Sequence, residues 1–384
     1  MSAHHPIAVI GGGLGGLTLA SVLHRNGVGT AVFELDASPT ARHQGGMLDL
    51  HQDSAQVALR AAGLYEEFRA IIHAGGEAMR IVDRDGTVLL KEEPEAGEEG
   101  DRPEVDRNDL RRILLDSLPA GTVHWGSRVT GARSLGDGRH EVALADGSSF
   151  TTDLLVGADG AWSRIRPLVS TAVPGYTGLS FIESDLLDAA ERHPGTAELV
   201  GGGMMFALAE DKGFLTHAEG DGSVHCYAAL RTPPEWAAGL DTADTATAKA
   251  AVLARFEGWD QRLRALIADA DGPLVARPIH ALPIGHRWGR VPGVTLLGDA
   301  AHLMSPFAGE GANLAMLDAA ELAAAVTAHP GDVEAALAAY ERDLFPRSES
   351  SAAESAANLE LCFGPDANQR LIAQFAEFRA VQDI

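Results

Sequence analysis

The sequence predicts an α/β (α+β) fold: a Rossmann-like nucleotide-binding domain, a β-sheet layer inserted into it, and a long C-terminal helix. Three observations carry that prediction. A β-branched run, Ile7-Ala8-Val9-Ile10, leads straight into the glycine-rich stretch Gly11 to Gly16. A second glycine-rich signature, Gly298-Asp299-Ala300-Ala301-His302 followed by Pro306-Phe307-Ala308-Gly309-Glu310-Gly311, lies nearly the whole chain away. Between them, residues from about 173 to 274 change character to short strand-like runs with hairpin signals.

At 384 residues the chain can bury a sizeable core and form about two domains. The sequence boundaries are 1–172 with 275–330 for a discontinuous nucleotide-binding domain, 173–274 for the inserted sheet, and 331–384 for a helical tail. A net charge of −24 argues against nucleic acid or an anionic membrane surface as partner. Two distant cysteines, Cys226 and Cys362, offer no disulfide framework and suit a reducing compartment. Nothing has metal-ligand spacing, so no metal is expected. The chain has no signal-peptide start and no run approaching the ~20 apolar residues that span a bilayer. A soluble cytoplasmic monomer acting on a small molecule is the expectation.

Taken in order, Ile7–Ile10 reads as a buried parallel strand. Gly11, Gly13 and Gly16 fit G-x-G-x-x-G: a tight turn, a close approach of backbone to a pyrophosphate, and a helix lying close on the sheet. Leu14 follows in the loop, Leu17 to Arg25 reads as the helix, and Gly27 as its stop. The second strand, Thr30 to Phe33, ends in Glu34, at the spacing of a ribose-hydroxyl ligand. These residues alone suit NAD and FAD equally.

Arg42 to Leu50 is too glycine-rich for a helix and reads as a loop entering a strand. Residues 92–101 are an acidic, exposed loop. Arg107-Asn108-Asp109-Leu110-Arg111 opens a helix, with Arg107 and Arg111 one turn apart. An arginine there suits either solvent or a pyrophosphate, whose oxygens match its planar fork. Asp153 to Gly157 is a strand, Asp159-Gly160 a turn that either touches a cofactor or is an ordinary Asp-Gly turn, and Ala161 to Arg166 the start of a short helix. Gly213 to His217 and Ser223 to Leu230 flank the turn pair Asp221-Gly222. His225 and Tyr227 share one face of the second strand, opposite Val224, Cys226 and Ala228. Met204, Met205, Phe206, Phe214 and Tyr227 read as either pocket or core. Val294 to Leu297 is a strand closed by Gly298-Asp299, and Pro306 to Asn313 starts a long helix through Leu314, Leu317, Leu322 and Val326. The last ~50 residues read as helical by propensity, interrupted by Pro346.

With these motifs in order, the chain resembles the class A flavoprotein monooxygenases of the para-hydroxybenzoate hydroxylase type. The landmarks are Gly11 to Gly16, Gly157-Ala158-Asp159-Gly160 and Gly298-Asp299. It is closer still to the tetracycline-inactivating monooxygenases of the TetX type through Gly45 to His51, Arg107 to Arg111, Gly298 to Met304 and Pro306 to Gly311. The resemblance implies FAD as cofactor, NADPH or NADH as transient reductant without a separate nicotinamide domain, and O2 as co-substrate. It places Glu34 and Arg111 at the adenosine and phosphate parts, with Gly11, Gly13, Leu14, Gly16, Arg107 and Asp159 nearby. Asp299 goes to the pyrophosphate–ribityl part. Pro306, Gly309, Gly311, Ala312 and Asn313 run along the isoalloxazine, with Arg42, the Gly45–Gly46 loop and Asp49 beside it. At the substrate stand Glu183, Met204, Leu215, His225, Tyr227, Pro306 and Phe307, with His225 as the candidate catalytic residue. Glu183, Met204 and His225 occupy positions where tetracycline-degrading members place a glutamine, an arginine and a histidine. Only the histidine matches, so tetracycline itself is not implied.

The activity so implied is hydroxylation of a planar aromatic or polycyclic molecule, tetracycline-like or an aromatic polyketide, through a flavin C4a-hydroperoxide. The chemistry is carried by the cofactor, which fits a chain without a nucleophilic triad. The competing readings are a flavin dehydrogenase or oxidase on the same fold, and a flavin- or ligand-binding protein that sequesters without turnover.

Overall fold

The computed structural model describes residues 3–41, 46–73, 78–93 and 102–382. The chain forms two compact units. The first comprises Met1–Ile72, Val105–Gly175 and His280–Ser355; the second comprises His73–Glu104, Tyr176–Ile279 and Ala356–Ile384.

In the first unit, strand β1 (Ala3–Ile10), helix α1 (Leu14–Arg25) and strand β2 (Ala31–Phe33) make the expected unit, with Ala8 facing Ala31 and Ile10 facing Phe33 in parallel register. On its other side β1 pairs in parallel with β3 (Ser149–Gly157), and β3 in turn with Val294–Leu296. The sheet has seven strands. Because its central strands are covered on both faces, they are uniformly apolar: Val9, Val32, Leu155, Val156 and Leu296 are all fully buried. Helix α2 (Arg107–Asp116) is capped by Asp106, whose carboxylate accepts from the backbone N–H of Asn108 and Asp109. Helices α3 (Gly311–Ala328) and α4 (Val333–Cys362) follow the last strand.

The second unit is built on another seven-stranded sheet. Strands β4 (Gly175–Leu186), β5 (Met204–Ala209), β6 (Lys212–Ala218) and β7 (Val224–Arg231) form its middle, in the order β4-β7-β6-β5. β6 and β7 form the hairpin predicted from Asp221-Gly222, with Gly222 at φ +85. One face packs on helices Thr245–Leu253 and Gln261–Ala268, burying Ile182, Met205, Phe214, Cys226, Phe256 and Leu263. Helix α5 (Ala367–Gln382) lies against β5.

The structure departs from the sequence reading at several points, and residues 331–384, read as one helical tail, divide between the first unit (to Ser355) and the second (from Ala356). Residues 73–104, drawn with the N-terminal domain, sit in the second unit, because Met79–Val82 pairs in parallel with β5, Met79 facing Met204. The segment after Gly160 is a turn ending in a single 3-10 turn, Arg166–Leu168, where Pro167 prevents a longer helix. Pro346 does not interrupt α4, which runs unbroken for 30 residues. Pro346 and Arg342, whose carbonyl loses its helical partner, are both exposed, and the helix is held on either side by the buried Leu337, Tyr340, Leu344 and Leu359.

Candidate functional site

The glycine loop of the first unit shows which of its residues are packed and which are open. Gly11 has φ +110, and a Cβ there would lie 2.2 Å from the Ala158 carbonyl oxygen. A Cβ at Gly16 would lie 2.0 Å from the Gly11 oxygen, so only glycine lets α1 press onto the turn. Gly13 is the opposite case: a Cβ there would meet nothing within 4 Å. Gly13 is also the N-cap of α1, with no side-chain cap, so the N–H groups of Leu14 and the first turn present the positive end of the helix.

Two buried charges brace this loop. Glu34 accepts from the Gly12 N–H at 2.5 Å and, through its other oxygen, from the Asp36 N–H at 2.8 Å. Arg111 donates through Nε to the Gly12 carbonyl (3.2 Å) and through Nη1 to the Pro39 carbonyl (2.8 Å), with its guanidinium over Trp125. Glu34 and Arg111 are 7% and 3% exposed. Their residue types were readable in the sequence; their shared grip on Gly12 was not. Arg107, half-buried one turn earlier, acts electrostatically on Asp299.

Asp159 accepts from the Arg164 N–H at 2.6 Å through Oδ2, while its Oδ1 is buried without a hydrogen-bond partner. Burial pushes its carboxyl pKa up, against the pull of Ser163, Arg164 and Arg166. Arg166, 3% exposed, ties this turn to the second signature, donating to the carbonyls of Ala300 (2.8 Å), Asp299 (3.2 Å) and Ala161 (2.8 Å). Asp299 is exposed, and desolvation by the surrounding protein raises its carboxyl pKa against the pull of His302, Arg107 and Arg166.

The start of α3 is more articulated than the single helix expected. Pro306–Ala308 is a 3-10 turn containing Phe307, Gly309 is left-handed at φ +68, and the helix begins at Gly311, followed by Ala312. Asn313, 1% exposed, accepts from the His51 N–H (2.9 Å) and donates to the carbonyls of Asp49 (2.9 Å) and Gly309 (3.1 Å). His51 in turn contacts the carboxylates of Asp49 (3.0 Å) and Glu310 (3.3 Å). Residues 46–51 and 309–313, far apart in sequence, are therefore one structure. Arg42 and Gly45 lie outside the described residues.

In the second unit, cross-strand register puts Glu183, Leu215, His225, Tyr227 and Met204 on one sheet face. Met205 and Phe214 point the other way, into the core. Of the apolar set that read as pocket or core, these two are core; Met204, Phe206 and Tyr227 are not. His225 Nδ1 contacts Asp185 Oδ1 at 2.6 Å, and the ring meets Tyr227 edge-on at 4.5 Å. Burial lowers the His225 pKa, but Asp185, Glu183 and Glu219 outweigh it and raise it overall. Nε2 has no hydrogen-bond partner among the described residues. Glu183 is held by both branches of the Arg277 guanidinium, one at 2.8 Å. Beside His225, His217 lies 2.7 Å from Glu104 and 3.7 Å from Glu219. Asp185, Arg277, His217 and Glu104 escaped sequence reasoning, because contacts between residues far apart in the chain leave no local signal.

The fold and site define a FAD-binding oxidoreductase. The chain belongs to the family described as FAD binding domain, whose model matches residues 4–355; it is a class A flavoprotein monooxygenase. It is 30% identical to the monooxygenase asqM of Emericella nidulans, over 96% of this chain and 98% of that protein. It is 34% identical to the 3-amino-4-hydroxybenzoate 2-monooxygenase PtnB3 of Streptomyces platensis, over 90% and 86%. Klebsiella pneumoniae HpxO, solved with FAD and uric acid, superposes with a TM-score of 0.79 at 26% identity, over 98% and 93%. No helix among the described residues is long and apolar enough to cross a membrane.

The residues present fit FAD. The space over Gly13, the uncapped start of α1 and the unpartnered Asp159 Oδ1 are features that a dinucleotide would use and that the chain leaves unused.

Proposed function

We propose that the chain is an NAD(P)H-consuming, FAD-dependent monooxygenase that hydroxylates a planar aromatic or polycyclic small molecule carrying an ionisable hydroxyl. The observation that carries this reading is the paired arrangement at the glycine loop: open space over Gly13 beside a Glu34 carboxylate fixed to Gly12. In this reading Gly11, Gly13, Leu14 and Gly16 meet the pyrophosphate; Glu34, Arg107 and Arg111 serve the adenosine and phosphate parts; and Asp159 and Asp299 meet the pyrophosphate–ribityl part. Pro306, Gly309, Gly311, Ala312 and Asn313, with Arg42 and Asp49, serve the isoalloxazine end. When bound, FAD supplies two-electron reduction by a nicotinamide and activation of O2.

The chain's own residues then have defined tasks. The first-turn N–H groups of α3, which has no side-chain cap, present a positive helix end that would favour negative charge at the isoalloxazine end. Glu183, Met204, Leu215 and Tyr227 orient the substrate. His225, steered by Asp185, holds or moves a proton at Nε2, which suits a phenolic hydroxyl. The named aromatic hydroxylase relative supports an aromatic substrate over a saturated one.

The test is incubation of FAD-loaded protein with NAD(P)H, a panel of phenolic and polycyclic compounds and isotopically labelled O2, read by mass spectrometry. One labelled oxygen atom per product is the expected result. A product formed without label points to a dehydrogenase or oxidase, and a chain that ignores FAD refutes the reading.

A further inference from the structure

The Gly298–Asp299 turn has an unusual backbone. Gly298 sits at φ +56, ψ −143, and a Cβ there would lie 2.9 Å from that of Ala315 on α3. Glycine adopts this mirror image of extended backbone readily, whereas a residue with a Cβ does not. The neighbouring backbone groups are tied to buried side chains. Tyr340 donates to the Leu296 carbonyl at 3.0 Å, and Arg166 holds the carbonyls of Asp299 and Ala300. The Gly298 N–H itself donates to Asp318 Oδ2 at 3.0 Å.

Asp318 does more than accept that bond. The same Oδ2 meets His302 Nε2 at 2.6 Å, and Oδ1 accepts from Arg347 Nη2 at 2.9 Å. Arg347 also donates to Glu321 at 2.8 Å. Asp318 is fully buried, and His302 is 5% exposed. One carboxylate therefore joins the turn (Gly298), the residue ending its short helix (His302), the helix carrying the second glycine signature (α3) and α4 (Arg347). Both oxygens are occupied by protein donors, so any effect on a ligand passes through the backbone that Asp318 holds.

We infer that Asp318 is a positioning residue for FAD: it fixes the Gly298–Asp299 turn against α3, setting together two elements that the cofactor must meet. The inference rests on the FAD reading above. It assigns to Asp318, which as an acid inside the alanine-rich α3 carries no sequence signal, control over cofactor affinity. His302 and Arg347 hold the carboxylate in place and act through it.

The experiment is titration of FAD into flavin-stripped protein, followed by quenching of flavin fluorescence and by the visible band of the bound flavin. Wild type, Asp318→Asn, Arg347→Met and Leu263→Ala are compared, each also by thermal melting without FAD. Leu263 is buried in the core of the other unit and serves as the control for stability loss alone. Asp318→Asn is expected to bind FAD about tenfold or more weakly and to alter the band, Arg347→Met to weaken binding less, and Leu263→Ala to lower the melting temperature with affinity within about twofold of wild type. If Asp318→Asn does not fold, Arg347→Met decides. Wild-type affinity in a folded Asp318→Asn, or in Arg347→Met where that variant decides, overturns the inference while leaving the FAD reading intact, as does equal weakening by Leu263→Ala. Failure of the wild type itself to bind FAD overturns both.

Discussion

His217 Nε2 and Glu104 Oε2 lie 2.7 Å apart, both buried, in the second unit. Burial alone would push the histidine pKa down, but the hydrogen bonds and charges of Glu104 and Glu219 prevail and raise it to about 9. His217 is therefore a cation at neutral pH, and a fixed neighbour of His225 across the β6–β7 pair.

The stability this pair supplies depends on pH in a defined direction. The folded pKa of about 9 lies above the ordinary 6.5, so the contribution is full below 6.5 and disappears as pH rises through 9. Glu104→Gln should cost about 2–3 kcal/mol at about pH 6, where the carboxylate is ionised and the imidazole charged, and the gap to wild type should close as pH rises through 9. Urea unfolding of both proteins across that range checks it. A gap independent of pH would show that His217 is neutral.

Two glycines of one loop should respond oppositely to the same substitution. Gly16→Ala drives a methyl into the Gly11 carbonyl and should cost about 1–3 kcal/mol of stability. Gly13→Ala meets no protein atom and should leave the melting temperature of the flavin-free chain nearly unchanged, while weakening FAD about tenfold or more. Melting curves and FAD titrations of the two variants separate packing from ligand space.

His225 owes its raised pKa chiefly to Asp185, with Glu183 and Glu219 contributing, all against desolvation. Asp185→Asn should move the His225 imidazole titration, followed by NMR, to lower pH. The pH profile of substrate oxidation should shift with it if Nε2 handles the substrate proton. A titration that stays in place would place Asp185 outside the electrostatics of His225.

Cys226 and Cys362 are buried, and burial pushes both thiols up to about 12. Neither should react with a disulfide reagent in the native protein at neutral pH, and both should react on unfolding. Rapid labelling of the folded chain would contradict the packing around them.

What was legible in the sequence was local. The β1–α1–β2 unit follows from a β-branched run, three glycines and an acid at fixed spacing, and the β6–β7 hairpin from Asp221-Gly222. The opposed faces of β7 follow from simple alternation, which the burial of Cys226 and the half-exposure of His225 bear out. What was not legible was long-range. The parallel pairing of Met79–Val82 with β5 has no turn to announce it. Glu104 read as part of no motif, yet it sets the charge of His217. Met205 and Phe214 were ambiguous until register placed them in the core. Pro346 misled because local propensity does not show that α4 is anchored on both sides of it, by the buried Tyr340 and Leu344 before and Leu359 after.

The second unit is assembled from three separate stretches, the last of them Ala356–Ile384. The Asp211 N–H donates to the Phe363 carbonyl, and the Leu208 N–H to the Asn368 side chain, so β5 and its turn are finished by residues much later in the chain. During synthesis these two bonds can form only after Asn368 has left the ribosome, with water occupying the donors until then. A truncation that removes Ala356–Ile384 therefore takes away part of the second unit itself and should destabilise its sheet.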